Sequence, residues 1–95
     1  MIEITTFRPA EGAADEDLLE ADRLVQQRFM PRQPGFLRRT TARGADGEWA
    51  VVVLWAGEAE ALAAAEGAVA DPSTAALAAL VDPSTLQVRR YTELG

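Results

Sequence analysis

The chain contains no cysteine, no histidine, no lysine and no asparagine. The first absence excludes disulfides and thiolate chemistry, and the second excludes imidazole metal ligands and Ser-His catalysis. Without lysine there is neither a Schiff base nor a phosphate-loop ammonium. Positive charge is also scarce: nine cations, all arginine, face fifteen carboxylates, giving a net charge of −6 and a pI near 4.5. Binders of duplex nucleic acid or anionic membranes carry the opposite sign, so neither partner is expected. The longest apolar run, Ala50 to Ala56, is far short of the ~20 residues that span a bilayer. Met1 to Phe7 has no basic region followed by a long apolar stretch, which argues against a signal peptide and for a cytoplasmic protein.

What is present belongs to a folded domain. Hydrophobic residues make up 48% and charged residues 25% of the chain, ordinary values for a globular protein, and the length suits one domain over residues 1–95. Ile2 to Arg8 reads as a strand with period-2 spacing, closed by Pro9. Asp15-Glu16-Asp17 supplies a cap and an acidic first turn for a helix carrying Leu18, Ala21, Val25 and Phe29 on one face. Pro31 and Pro34-Gly35 end it. Phe36 to Arg43 and Trp49 to Trp55 form two strands about a turn at Gly44-Ala45-Asp46-Gly47. Glu58 to Val69 is helical by propensity. Asp71-Pro72-Ser73-Thr74 and Asp82-Pro83-Ser84-Thr85 are cap-and-turn signals bracketing a short helix, and Leu86 to Leu94 is a last strand.

The order β-α-β-β-α-β is that of a ferredoxin-like α+β fold, a four-stranded antiparallel sheet with helices on one face. The second and fourth strands carry arginines on both faces and belong at the edges. The third is apolar on both faces, with Trp49, Val51, Val53 and Trp55 on one and Ala50, Val52 and Leu54 on the other. Helices cover one face only. The other requires a cover, and a second copy packed sheet to sheet about a two-fold axis supplies it, so the expected partner is the chain itself in a homodimer.

Pro34-Gly35-Phe36, the strand Trp49-Ala50-Val51-Val52-Val53-Leu54-Trp55, the helix opening Glu58-Ala59-Glu60-Ala61-Leu62 and the final Arg90-Tyr91 together resemble the dimeric α+β barrel superfamily, specifically domains of the antibiotic biosynthesis monooxygenase (ABM) type. The resemblance spans Ile2 to Leu94. It implies either a cofactor-independent oxygenase acting on a small hydrophobic aromatic substrate or one of the many related domains without assigned activity. It argues against the haem-degrading branch, whose histidine and asparagine have no counterpart here and whose helical tryptophan falls at about Ala64. In the oxygenases that it resembles, the strand-terminal tryptophan, here Trp55, lies at the substrate pocket. The resemblance calls for no metal and no cofactor.

Candidate site residues follow. Trp55, Trp49 and Phe36 offer flat surfaces for an aromatic ligand; the alternative makes Trp55 a core residue under the second helix and Trp49 a packing or dimer-interface residue. Arg38 and Arg90 are strand arginines suited to holding a phenolate or enolate; the alternative makes them edge charges paired with Glu3 or Glu93. Tyr91 is placed to move a proton, or else it caps the core. The acidic residues from Asp15 to Asp22 read as a solvated helix start, since neighbouring helical positions do not converge on one ion. Two functions remain open: an enzyme using Tyr91, Arg38 and Arg90, either a cofactor-free monooxygenase or a cyclase or isomerase, or a non-catalytic dimeric domain that binds a small apolar ligand or acts in assembly.

Overall fold

Alternating residues in Ile2–Phe7 build β1, the first strand of a computed structural model that describes all residues from Met1 to Gly95. α1 follows at Asp15–Leu24, runs into a π-helical turn over Val25–Phe29 and a 3-10 turn over Met30–Arg32. Then come β2 (Phe36–Arg43), β3 (Trp49–Trp55), α2 (Glu58–Ala68), α3 (Pro72–Ala78), a 3-10 turn at Pro83–Thr85 and β4 (Gln87–Tyr91). The strands form one antiparallel sheet in the order β2-β3-β1-β4. The architecture is the ferredoxin-like α+β fold, with β1 and β3 central and the arginine-bearing strands at the edges.

The β2–β3 turn closes as its residues demand. Gly47 takes a positive φ of 88°, the Gly47 N–H reaches the Gly44 carbonyl at 3.0 Å, and the Asp46 carboxylate accepts from the Glu48 N–H at 3.1 Å. Both Asp-Pro-Ser-Thr segments cap as expected: Asp71 accepts from the Ser73 and Thr74 N–H groups and Asp82 from that of Ser84. At Gly35, φ is 78°, and a Cβ there would stand 2.5 Å from Glu60 Cγ, so only glycine lets the chain turn into β2 beneath α2.

Three boundaries differ from expectation. The residue capping α1 is Ala14, with no side-chain bond; the Asp15 carboxylate is taken instead by Arg43 at 2.6 Å. β1 stops at Phe7 because Arg8 turns out to clamp Asp46 at 2.8 Å. β4 stops at Tyr91, opposite Ile2, where the neighbouring strand runs out of residues to pair with.

One face of the sheet carries the core. Phe7, Trp49, Val51, Val53 and Trp55 are buried against Leu18, Val25, Phe29 and Met30 of the first helical segment and Ala61 and Ala64 of α2. Burial of each large side chain is worth about 1.5–3 kcal/mol. On the opposite face the register aligns Ile2 with Leu54 and Ile4 with Val52, and these residues are only half-buried. Arg38, Thr40, Arg89 and Tyr91 flank them from the edge strands. No helix is long and apolar enough to cross a membrane.

Candidate functional site

Alanine is the best helix former and the poorest filler. α2 and α3 therefore cover the sheet without filling the space beneath them. Ala61, Ala64, Ala65 and Ala68 of α2 and Ala78 of α3 face a cavity of about 380 Å³, at the lower end of the ~300–1,000 Å³ of small-molecule sites. Val51 and Val53 form its floor, Phe29, Met30 and Leu77 close its sides, and Trp55 stands at one end. Fifteen of its twenty lining residues are hydrophobic. The π-helical turn of the first helical segment gives it Val25 and Phe29, a widened turn of the kind that recurs at functional sites.

Two charged groups interrupt the apolar lining. Glu3 projects from β1, 13% exposed, and accepts from the Trp55 indole Nε1 at 3.3 Å through one oxygen and from Arg90 Nε at 2.9 Å through the other. Arg39 projects from β2, 5% exposed, and donates to Asp22 of α1 at 2.6 Å and to the Thr41 hydroxyl at 3.3 Å. Thr41 in turn donates to the second Asp22 oxygen at 2.8 Å. Arg39 and Glu3 lie in register on either side of Val53, two strand spacings or about 10 Å apart along the floor.

The candidate residues read from the sequence divide between the two faces of the sheet. Trp55 is 3% exposed and lines the cavity. Phe36 meets it edge-on, with ring centroids 6.0 Å apart, and buttresses the indole from outside the lining. Arg90 reaches the site through Glu3. Trp49 lies at the far end of β3, buried, stacked on Phe7 at 6.0 Å and covered by the Arg43 guanidinium at 5.9 Å; its indole N–H has no partner. Arg38 and Tyr91 are on the outer face, opposite Leu54 and Ile2, so the sheet separates them from Trp55 and they do not form one cluster with it. For Arg38 the reason is a bulge at Leu37: Phe36 pairs with Trp55 and Arg38 with Leu54, so two residues that simple alternation puts on one face point to opposite faces. The bulge delivers Arg39 to the cavity in place of Arg38. The same contact corrects the reading of Asp22 as part of a solvated helix start, because it is 14% exposed and paired.

Beside the cavity, Asp71 fixes the start of α3. The Ser73 hydroxyl holds its carboxyl below the usual carboxylate range, helped by the Thr74 and Ser73 N–H groups and by Arg32, against an opposing effect of desolvation. No group of three or more histidine, cysteine or acidic side chains is placed to hold a metal ion.

The same arrangement of sheet and helices occurs in solved structures. SnoaB, a cofactor-independent oxygenase from Streptomyces nogalater, is 22% identical with a TM-score of 0.76, over 99% of this chain and 92% of that one. A proposed antibiotic biosynthesis monooxygenase from Bordetella bronchiseptica is 16% identical with a TM-score of 0.81, over 98% and 95% of the two chains. The chain has the fold of these proteins. A dimeric ferredoxin-like protein of unknown function from Jannaschia sp. CCS1 shares the arrangement at 14% identity and a TM-score of 0.67, over 93% of each chain. No protein-family model matches the sequence, and no curated protein does.

Proposed function

We propose that this ABM-like domain is a cofactor-independent monooxygenase acting on a small hydrophobic aromatic substrate, and that it works as a homodimer. The observation that carries the reading is the cavity itself: apolar, bordered by alanine-rich helices, open on one side, and ended by an indole that is hydrogen-bonded in place. Such a pocket desolvates a planar, enolisable substrate and orients it against Trp55. Oxygenation at an activated ring methylene then balances without a cofactor. Both C–H bonds break, one atom of O₂ enters the carbon as C=O, and the other leaves as water with the two hydrogens. The substrate supplies the electrons. Trp55 positions the ring, Glu3 accepts a hydrogen bond or proton from it, and Arg90 holds Glu3.

Oxygen uptake by metal-free, flavin-free protein, with a phenolic ring ketone bearing an activated methylene, tests this. The expected result is uptake above the buffer rate with one carbonyl formed per O₂ consumed. Uptake at the buffer rate would contradict it. A second reading, a domain that binds such a ligand without turning it over, is supported by both Glu3 oxygens already being engaged; it predicts binding by calorimetry without uptake.

The dimer is supported by the half-buried Ile2, Ile4, Val52 and Leu54 on the outer face, an apolar centre rimmed by Arg38, Arg89 and Tyr91 that fits a second copy of itself. Sedimentation should give a two-chain mass that falls to one chain in Val52→Asp, with the fold retained. A wild-type monomer would overturn the assembly.

A further inference from the structure

Each charge that borders the cavity is cancelled by a neighbour: Glu3 by Arg90 at 2.9 Å and Arg39 by Asp22 at 2.6 Å. From this balance we infer that Glu3 and Arg39 are the specificity-determining poles of the cavity, selecting a neutral aromatic ligand with a hydrogen-bond acceptor at one end and an O–H donor at the other. The inference rests on the cavity being a ligand site, and it names the polarity of what enters.

An anionic ligand would bring an uncompensated charge into an apolar space between two closed ion pairs, and the desolvation cost of that charge would find no net positive field to offset it. A neutral carbonyl meets no such penalty. Arg39 has five N–H donors, and only its two Nη atoms have partners, in Asp22 and Thr41. Its Nε–H has no protein partner, which leaves a donor for a ligand carbonyl at the β2 end of the floor. At the β1 end Glu3 has acceptor capacity beyond the bonds to Trp55 and Arg90, since an ionised carboxylate offers about four lone-pair sites. A phenolic O–H fits there. The strands that carry the two poles lie about 10 Å apart across β3, and Val53 between them provides an apolar floor on which fused aromatic rings can lie.

Calorimetric titration of the whole protein with three probes tests the inference. The probes are a naphthyl methyl ketone carrying a hydroxyl at the opposite end of the ring system, its methyl ether, and the matching hydroxynaphthoic acid as its carboxylate. The hydroxy ketone should bind roughly tenfold more tightly than the acid, and the ether should bind more weakly than the hydroxy ketone. Glu3→Gln and Asp22→Asn each remove one negative charge while keeping the shape of the side chain. Each should shift the preference toward the acid by about tenfold, a change in selectivity that a purely structural role would not produce. Should Asp22→Asn fail to fold, Glu3→Gln alone decides the point. Tighter binding of the acid by the wild type, or an unchanged preference in the folded variants, would overturn the charge-balance inference while leaving the cavity as a ligand site. No binding by any probe would remove the ligand site and the inference together.

Discussion

The indole N–H of Trp55 and the carboxylate of Glu3 meet at 3.3 Å, although β1 and the end of β3 are fifty-two residues apart in sequence. The bond fixes the plane of the ring that ends the cavity, and Phe36 holds it from the other side. Trp55→Phe retains an aromatic surface but loses this bond. It should weaken binding of a hydroxynaphthyl ketone several-fold and lower stability by about 1 kcal/mol, read by calorimetry and urea unfolding. Unchanged affinity would mean that the indole is only a core residue.

The Asp22–Arg39 pair predicts a strong asymmetry between single and double substitutions. Removing one partner leaves the other charge buried, at a cost of about 3 kcal/mol or more, whereas Asp22→Leu combined with Arg39→Met should fall within about 1 kcal/mol of the wild type. Urea midpoints of the two single variants and the double variant check this. A double variant as unstable as either single one would show that the pair organises the fold itself.

Ala64 is buried and faces the cavity. Ala64→Leu should occupy part of the space left by the alanine-rich cover, abolishing ligand binding while leaving stability unchanged or about 1 kcal/mol higher. Retained binding in a folded Ala64→Leu protein would place the ligand elsewhere.

Asp71 links the cap of α3 to acid stability. Its carboxyl lies below its ordinary value of 3.8 in the folded protein, chiefly through the Ser73 hydroxyl. A depressed folded-state value means that the stabilisation is complete above the unfolded value and is lost as pH falls through the folded one. Asp71→Ala should therefore lower the thermal midpoint at neutral pH and flatten its decline below pH 3.8. Parallel acid limbs in the two proteins would show that the cap contributes nothing to the titration.

Much of the fold was legible in local patterns. The strand order followed from which strands carried arginine on both faces, and the Asp-Pro-Ser-Thr segments announced their caps because an aspartate before proline has one economical use at a helix start. The site was less legible. Alternation through Phe36-Leu37-Arg38 gives the wrong face once a bulge intervenes, and nothing in those residues marks the bulge, which depends on pairing with Trp55 and Leu54. Arg39 was hidden for that reason, and Asp22 because its partner lies on another element. Glu3 carried a faint signal as a lone carboxylate between Ile2 and Ile4. The cavity arises from what alanine leaves unfilled beneath α2 and α3, and that depends on how far the helices stand from the sheet.

The chain contains two tryptophans, one lining the cavity and one outside it, so ligand entry can be read at one indole against the other. In a ¹H–¹⁵N correlation spectrum the two indole N–H resonances are resolved and assigned through Trp55→Phe, and the protein is titrated with the hydroxynaphthyl ketone. The Trp55 indole peak should move with saturation while the Trp49 peak stays in place. A stationary Trp55 peak at ligand concentrations that shift other residues would contradict ligand entry into the cavity.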